Sequence, residues 1–145
     1  VASFLFFLFS AIIDRATKVI ALNFPSLNIN LIPGFFLFKP ALNNAGPLGL
    51  PLSNIIFFIF AVVGGGIVLW MAFTEKDRLN KLLLFLIVVG ATSNIYDKFM
   101  YGFIIDAFRL SFGLIFNVAD VLIVGGLVLV LIRNYFIVTP SSIES

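Results

Sequence analysis

The sequence predicts a membrane all-α core of four transmembrane helices. A small extracytoplasmic β-sheet lies between helices one and two, and a short excursion between helices three and four. Three observations carry that expectation. The 145-residue chain is 61% hydrophobic and 11% charged, against roughly 45–50% and about 25% in a soluble domain. Its apolar residues gather into runs close to the roughly 20 residues that cross a bilayer. Between the first two runs, Pro25, Pro33, Pro40, Pro47 and Pro51 interrupt any helix. A soluble domain this small has too much surface to cover with so few charges.

Residues 1–145 read as a single membrane-embedded domain, with spans near 1–22, 52–73, 82–101 and 115–134 and excursions at 23–51 and 102–114. The first span is apolar over 1–13, then Asp14, Arg15 and Lys18 intrude before residues 19–24. A signal peptide is the competing reading of this segment, but it lacks a basic leading region and a small-x-small cleavage site. In the first excursion, residues 28–31 and 35–38 suit short strands between helix breakers. The second span, 52–73, carries no charge and contains Gly64-Gly65-Gly66. A short charged loop, 74–81, leads to the third span, which ends with Asn94, Asp97 and Lys98. Residues 102–113 alternate loosely, as a strand or hairpin does, and the fourth span opens with Asn117 and Asp120.

Four spans put both termini on one side, together with Lys76, Arg78, Lys81 and Arg133. The positive-inside rule makes that side cytoplasmic. Lys39 and Arg109 fall on the other side, with Arg15, Lys18 and Lys98 near the interface. The dense short loop decides the orientation.

Composition also bounds the chemistry. With no Cys and no His, thiol nucleophiles, Ser-His catalysis and imidazole or thiolate zinc sites are excluded. A net charge of +2 is too weak to argue for nucleic acid. No cofactor or metal is expected. Acid–base work near neutral pH falls to carboxylates and lysines.

Ionisable groups in membrane spans are functional hypotheses by default. By topology, Asp14 and Lys18, then Asn94, Asp97 and Lys98, then Asn117 and Asp120 all reach one depth near the outer interface. Their i,i+3 and i,i+4 spacings project each pair from one helix face. Asp14/Lys18 and Asp97/Lys98 read as self-neutralising clasps between helices. Asp106 and Asp120 are left without an obvious cation, Arg109 being the nearby candidate. Two such carboxylates suggest a shared proton and an activated water.

At these residues the chain resembles the lipoprotein signal peptidase (signal peptidase II) family, nearly end to end. Asp14-Arg-Ala-Thr-Lys18 is similar to the family's Asp-x-x-Thr-Lys block, and Asn44-Ala-Gly46 to its Asn-x-Gly. Gly90-Ala-Thr-Ser-Asn94-Ile-Tyr-Asp97-Lys98 followed by Gly102-Phe-Ile-Ile-Asp106-Ala-Phe108 is similar to its third block, and Phe116-Asn117-Val-Ala119-Asp120 to its last. The resemblance implies a bacterial inner-membrane aspartyl endopeptidase that cuts the signal peptide from diacylglyceryl-modified prolipoproteins, before the lipidated cysteine. It implies Asp106 and Asp120 as catalytic, with Asp14, Lys18, Asn44, Gly46, Asn94, Asp97, Lys98 and Asn117 shaping the site or binding substrate. It further implies a small sheet from the first excursion cradling the membrane surface, and a flap-like or helical piece from the second. The expected partners are the lipidated substrate and membrane lipid, with the enzyme a monomer.

The chain departs from the family at Lys98, where Arg is usual, at Ser93, where Gly is usual, and at Pro47-Leu48-Gly49. None of these touches Asp106 or Asp120. A proton-coupled transporter is the main rival, yet it places carboxylates near the bilayer midplane rather than at one edge. A presenilin-like protease shares only Tyr96-Asp97. A purely structural membrane protein requires Asp106 to be merely solvated.

Overall fold

The structure, a computed structural model, describes residues 2–44 and 53–137. The elements run α1 (Ala2–Asn23), β1 (Ile29–Ile32), β2 (Phe36–Asn43), α2 (Asn54–Thr74), α3 (Arg78–Tyr101), β3 (Ile104–Leu110), β4 (Ile115–Phe116) and α4 (Val118–Ile137). Three helical stretches, Ile55–Thr74, Arg78–Tyr101 and Val118–Phe136, are long and apolar enough to cross a membrane. The surface is the reverse of a soluble protein's. Phe60, Trp70 and Phe136 are each about two-thirds exposed, while Asp14, Lys18, Asp97 and Asp106 are buried.

Local capping explains where the helices depart from the expected bounds. Asp77 accepts from the Asn80 main-chain N–H at 2.8 Å, so α3 starts at Arg78 rather than near 82. The expected loop 74–81 thereby shrinks to residues 75–77, with Lys81 inside the helix. At the other end, Gly102 takes φ 81° and donates to the Lys98 carbonyl at 3.1 Å. That left-handed turn suits glycine and stops the helix. Asn117 precedes α4, and residues 115–116 pair as strand instead of opening the span.

Contacts fix the helix directions. Phe7 packs on Phe85 at 5.9 Å between ring centroids and Arg15 bonds Ser93, so α1 and α3 run parallel. Asn80 donates to Asn134 at 2.9 Å and Asn94 to Asp120 at 2.8 Å, so α4 runs antiparallel to α3. Glycine brings these two helices together: a Cβ on Gly90 would lie 2.5 Å from the Ala119 carbonyl oxygen. An apolar core of Ala72, Leu83, Leu84, Leu86, Ile87 and Val130 fills the end near the 75–77 turn.

The sheet differs from the expectation in its origin. The order is β1-β2-β3-β4, every neighbour antiparallel, so both excursions contribute to one sheet. The second excursion supplies no helical piece, because residues 104–110 are strand. An eight-residue β2 paired only to the four-residue β1 would leave a long row of unpaired N–H and C=O groups. β3 covers that edge. The register slips between Phe38 and Ala41, around Pro40, which has no N–H to give the ladder. Ile105 and Ala107 pack with Phe38 and Ala21, seating the sheet on the end of α1.

Candidate active site

Two clusters of carboxylates lie between the apolar core and the sheet. The first is a clasp linking α1 to α3. Lys18 Nζ lies 2.7 Å from Asp97 and 3.3 Å from Asp14. The Arg15 guanidinium spans the same pair, 2.7 Å from Asp97 and 3.1 Å from Asp14, and lies over the Tyr96 ring at 5.2 Å. Ser93 Oγ donates to Asp14 and accepts from Arg15 and Lys18. Two cations thus meet two carboxylates. Buried charges persist only when paired and hydrogen-bonded in this way.

The clasp also reaches the second cluster through the backbone. Asp14 accepts from the Ala119 N–H at 2.8 Å, and Asp97 from the Ile105 N–H at 3.3 Å. Each clasp carboxylate therefore holds the main-chain N–H of the residue just before one of the other two aspartates, Asp120 and Asp106.

Asn117 joins those two. Its Oδ1 accepts from the Asp120 N–H at 2.9 Å, while its own N–H donates to Asp120 Oδ2 at 3.2 Å. That reciprocal exchange is a capping box, which closes the first turn of α4. The spare Asn117 Nδ2 donates to Asp106 Oδ1 at 2.7 Å, and Asn94 Nδ2 to Asp120 Oδ1 at 2.8 Å. Asn43 also bonds Asp106. It sits two residues beyond Ala41, the partner of Asp106 across the β2–β3 ladder, and so shares its face. Burial first, then the nearby Asp120 carboxylate, pushes Asp106 up from 3.8 to about 6, against the pull of Asn117, Asn43 and Lys18.

Eight of the site residues expected from sequence are described and buried around these clusters: Asp14, Lys18, Asn94, Asp97, Lys98, Asp106, Asn117 and Asp120. Asn44 is exposed at the end of β2, contributing its main-chain carbonyl to Lys98 at 2.8 Å. Gly46 and Pro47-Leu48-Gly49 lie outside the described residues.

The expected Asp97/Lys98 clasp is corrected. The cations held against Asp97 and Asp14 are Lys18 and Arg15, because consecutive residues on a helix point about 100° apart. Lys98 instead reaches the Asn44 carbonyl and lies 5.9 Å from the Phe57 ring. Arg109, three residues along β3 from Asp106, projects from the opposite face.

Arg15, Ser93 and Asn43 join the site without having been assigned to it from the sequence. Arg15 carried a signal as a third charge in a span. Ser93 carried one as a hydroxyl one residue before Asn94. Asn43 carried none, since its place depends on strand register. Among the described residues no group of three or more carboxylates gathers as a metal site.

Apolar crevices flank the second cluster. One of about 280 Å³, lined by Leu110, Phe116, Val121 and Val124, opens on Asp120. Another of about 210 Å³ between α2, α3 and α4 reaches Asn94 past Phe57, Gly64 and Ile123. A third, of about 400 Å³, ends on Asp14, Arg15 and Tyr96 at the clasp. The arrangement can hold one proton between two carboxylates beside an apolar surface.

Known proteins resemble this chain in sequence and shape. The family model for signal peptidase (SPase) II matches residues 6–136. A lipoprotein signal peptidase of Syntrophomonas wolfei is 35% identical over 130 residues, covering 87% of each chain. One of Thermodesulfovibrio yellowstonii is 36% identical over 132 residues, covering 85% of this chain and 87% of its own. A solved bacterial membrane enzyme matches the fold with a TM-score of 0.87 at 23% identity, over 99% of this chain and 93% of its own. The matched residues include both carboxylate clusters, and the chain belongs to the signal peptidase II family.

Proposed function

We propose that this chain removes the signal peptide from diacylglyceryl-modified prolipoproteins, cutting before the lipidated cysteine, with Asp106 and Asp120 as its catalytic pair. One observation carries the assignment of the pair. Asn117 ties together two buried carboxylates whose contacts are amides and main-chain N–H groups rather than cations. Carboxylates that close resist joint ionisation and share a proton. One takes a proton from water as the other polarises the scissile carbonyl, and the partly dehydrated site strengthens the stabilisation of the developing oxyanion.

The surroundings fit a lipid-borne substrate. Apolar crevices border Asp120 and Asn94, so an apolar signal segment and acyl chains can approach laterally without leaving the bilayer. Asp14, Lys18, Asn94, Asp97, Lys98 and Asn117 support the site, with Asn44 near its rim, and the family resemblance adds Gly46 to the supporting set. The 22 residues of α1 extend about 33 Å at 1.5 Å per residue, enough for a fourth span across a roughly 30 Å hydrocarbon core.

In this reading both termini are cytoplasmic in the bacterial inner membrane, and the site lies at the extracytoplasmic interface. Arg133, 3.1 Å from Asp77, brings the end of α4 beside the start of α3, so that Lys76, Arg78, Lys81 and Arg133 gather on one side, which supports that orientation. In this reading the enzyme acts as a monomer bathed in membrane lipid. The transporter alternative has no support from the family. The test is cleavage of a lipidated prolipoprotein beside its unlipidated form. The lipidated form is cut much faster in this reading, and equal cleavage of the two would refute it.

A further inference from the structure

We infer that the pair is asymmetric: Lys18, acting through Asn94, keeps Asp120 as the charged base, and Asp106 carries the proton. This rests on the proposed catalytic pair and assigns each member its part.

The argument is one of hydrogen-bond bookkeeping. An ammonium has donors and no acceptor, so Lys18, 2.9 Å from Asn94 Oδ1, fixes which way that amide faces. Asn94 must then present Nδ2 to Asp120 Oδ1. The other oxygen, Oδ2, meets the Asn117 N–H, again a donor only. Both oxygens of Asp120 thus accept from donors that cannot turn round to accept, and the charged carboxylate makes the stronger bond with each. Asp106 is freer. The Asn117 amide is oriented by the Asp120 N–H, so its Nδ2 claims Asp106 Oδ1. Its other partner, Asn43, is an amide, which can turn to accept from a carboxyl O–H as well as donate to a carboxylate, so Asp106 is compatible with a proton.

Electrostatics points the same way. Asp120 lies in the first turn of α4, where the helix dipole favours negative charge, whereas Asp106 lies on a strand, which has no such dipole. The charged groups around Asp120 are Asp106 on β3, Asp14, Arg15 and Lys18 on α1, and Asp97 and Lys98 on α3. The membrane stretch of α2, Ile55–Thr74, adds none. Arg15 and Lys18 balance Asp14 and Asp97, so the directional pull on Asp120 is the one transmitted by Asn94.

The reaction then has a defined course. The Asp120 carboxylate takes a proton from water as the water oxygen bonds to the scissile carbonyl carbon, and Asp106 gives its proton to the carbonyl oxygen. Asp120 next passes its proton to the amide nitrogen as the C–N bond breaks. Asp106 recovers a proton from the gem-diol, which becomes the new carboxyl group. Both aspartates end as they began.

The test uses the full chain in lipid nanodiscs. In wild type, kcat/KM against pH is bell-shaped, with the acidic limb set by Asp120 and the alkaline limb by Asp106. Asn94→Leu removes the relay and leaves the clasp intact. It moves the acidic limb up by about one pH unit and leaves the alkaline limb in place. Asn94→Ser, the second variant should leucine fail to fold, shifts the same limb. A shift of the alkaline limb, an equal shift of both, or no shift overturns the inference.

An infrared titration of the remaining carboxyl reads the asymmetry without activity. Asn94→Leu raises the titration in an Asp106→Asn background and leaves it in an Asp120→Asn background. Equal responses in the two backgrounds also overturn it. Retained cleavage by Asp106→Asn or Asp120→Asn would instead defeat the catalytic pair itself, and so marks the separate failure.

Discussion

Asp14 and Asp97 share Arg15 and Lys18 between them, whereas Asp106 and Asp120, on the far side of Asn94, are met by amides and main-chain N–H groups. All four carboxylates are buried where the helices meet the sheet. What differs is the partner. A carboxylate facing a cation is committed to its charge and serves as a strut. One facing neutral donors and another carboxylate can exchange a proton. The clasp supplies rigidity to the pair by holding Ala119 and Ile105, the residues just ahead of Asp120 and Asp106.

The comparison is broken most severely by neutralising the pair. Asp106→Asn and Asp120→Asn should each lower cleavage of a lipidated prolipoprotein by roughly a thousandfold or more. Each should keep wild-type helicity by circular dichroism. Neutralising the clasp should have the opposite profile. Lys18→Met strands two buried carboxylates with one cation, at a cost of about 3–5 kcal/mol of stability. Thermal unfolding checks this, and an unchanged Tm would remove the clasp's structural role.

A pH series sharpens the same contrast. Folded Asp106 releases its proton near pH 6, against 3.8 for the ordinary group. Between those values the folded state holds more proton than the unfolded one, so its stability falls as pH rises and levels off above about pH 7. At 1.36 kcal/mol per unit the loss is at most roughly 3 kcal/mol. Asp106→Asn should flatten that slope in a Tm-against-pH series and stabilise the chain at neutral pH. The smallest effect is expected at Lys98→Arg, which keeps the charge and a donor for the Asn44 carbonyl. Its cleavage rate should stay within a few-fold of wild type.

Much of this was legible in the sequence, and the limits were physical. Four apolar runs and a short charged loop over 74–81 follow from composition, although the Asp77 cap shortens that loop to 75–77. The i,i+3 spacing of Asn117 and Asp120 was legible too, but it read as one face of a span opening at 115, whereas strand pairing of residues 115–116 leaves Asn117 as the cap ahead of α4. Arg15 was harder. It adjoins Asp14 on the helix, and only a packed α3 gives its long side chain Asp97 and Ser93 to bridge. Asn43 and the joining of the two excursions into one sheet depend on register between strands whose partners lie roughly 60 to 75 residues apart. No local pattern encodes that.

The most direct test of the account is the double variant Asp106→Asn/Asp120→Asn, assayed for cleavage of a lipidated prolipoprotein beside both single variants in nanodiscs. If the two carboxylates work as one unit sharing a proton, the double variant is little slower than either single one, because the first change already removes the unit's function. Losses that multiply, or substantial cleavage by any folded variant of the three, would contradict it.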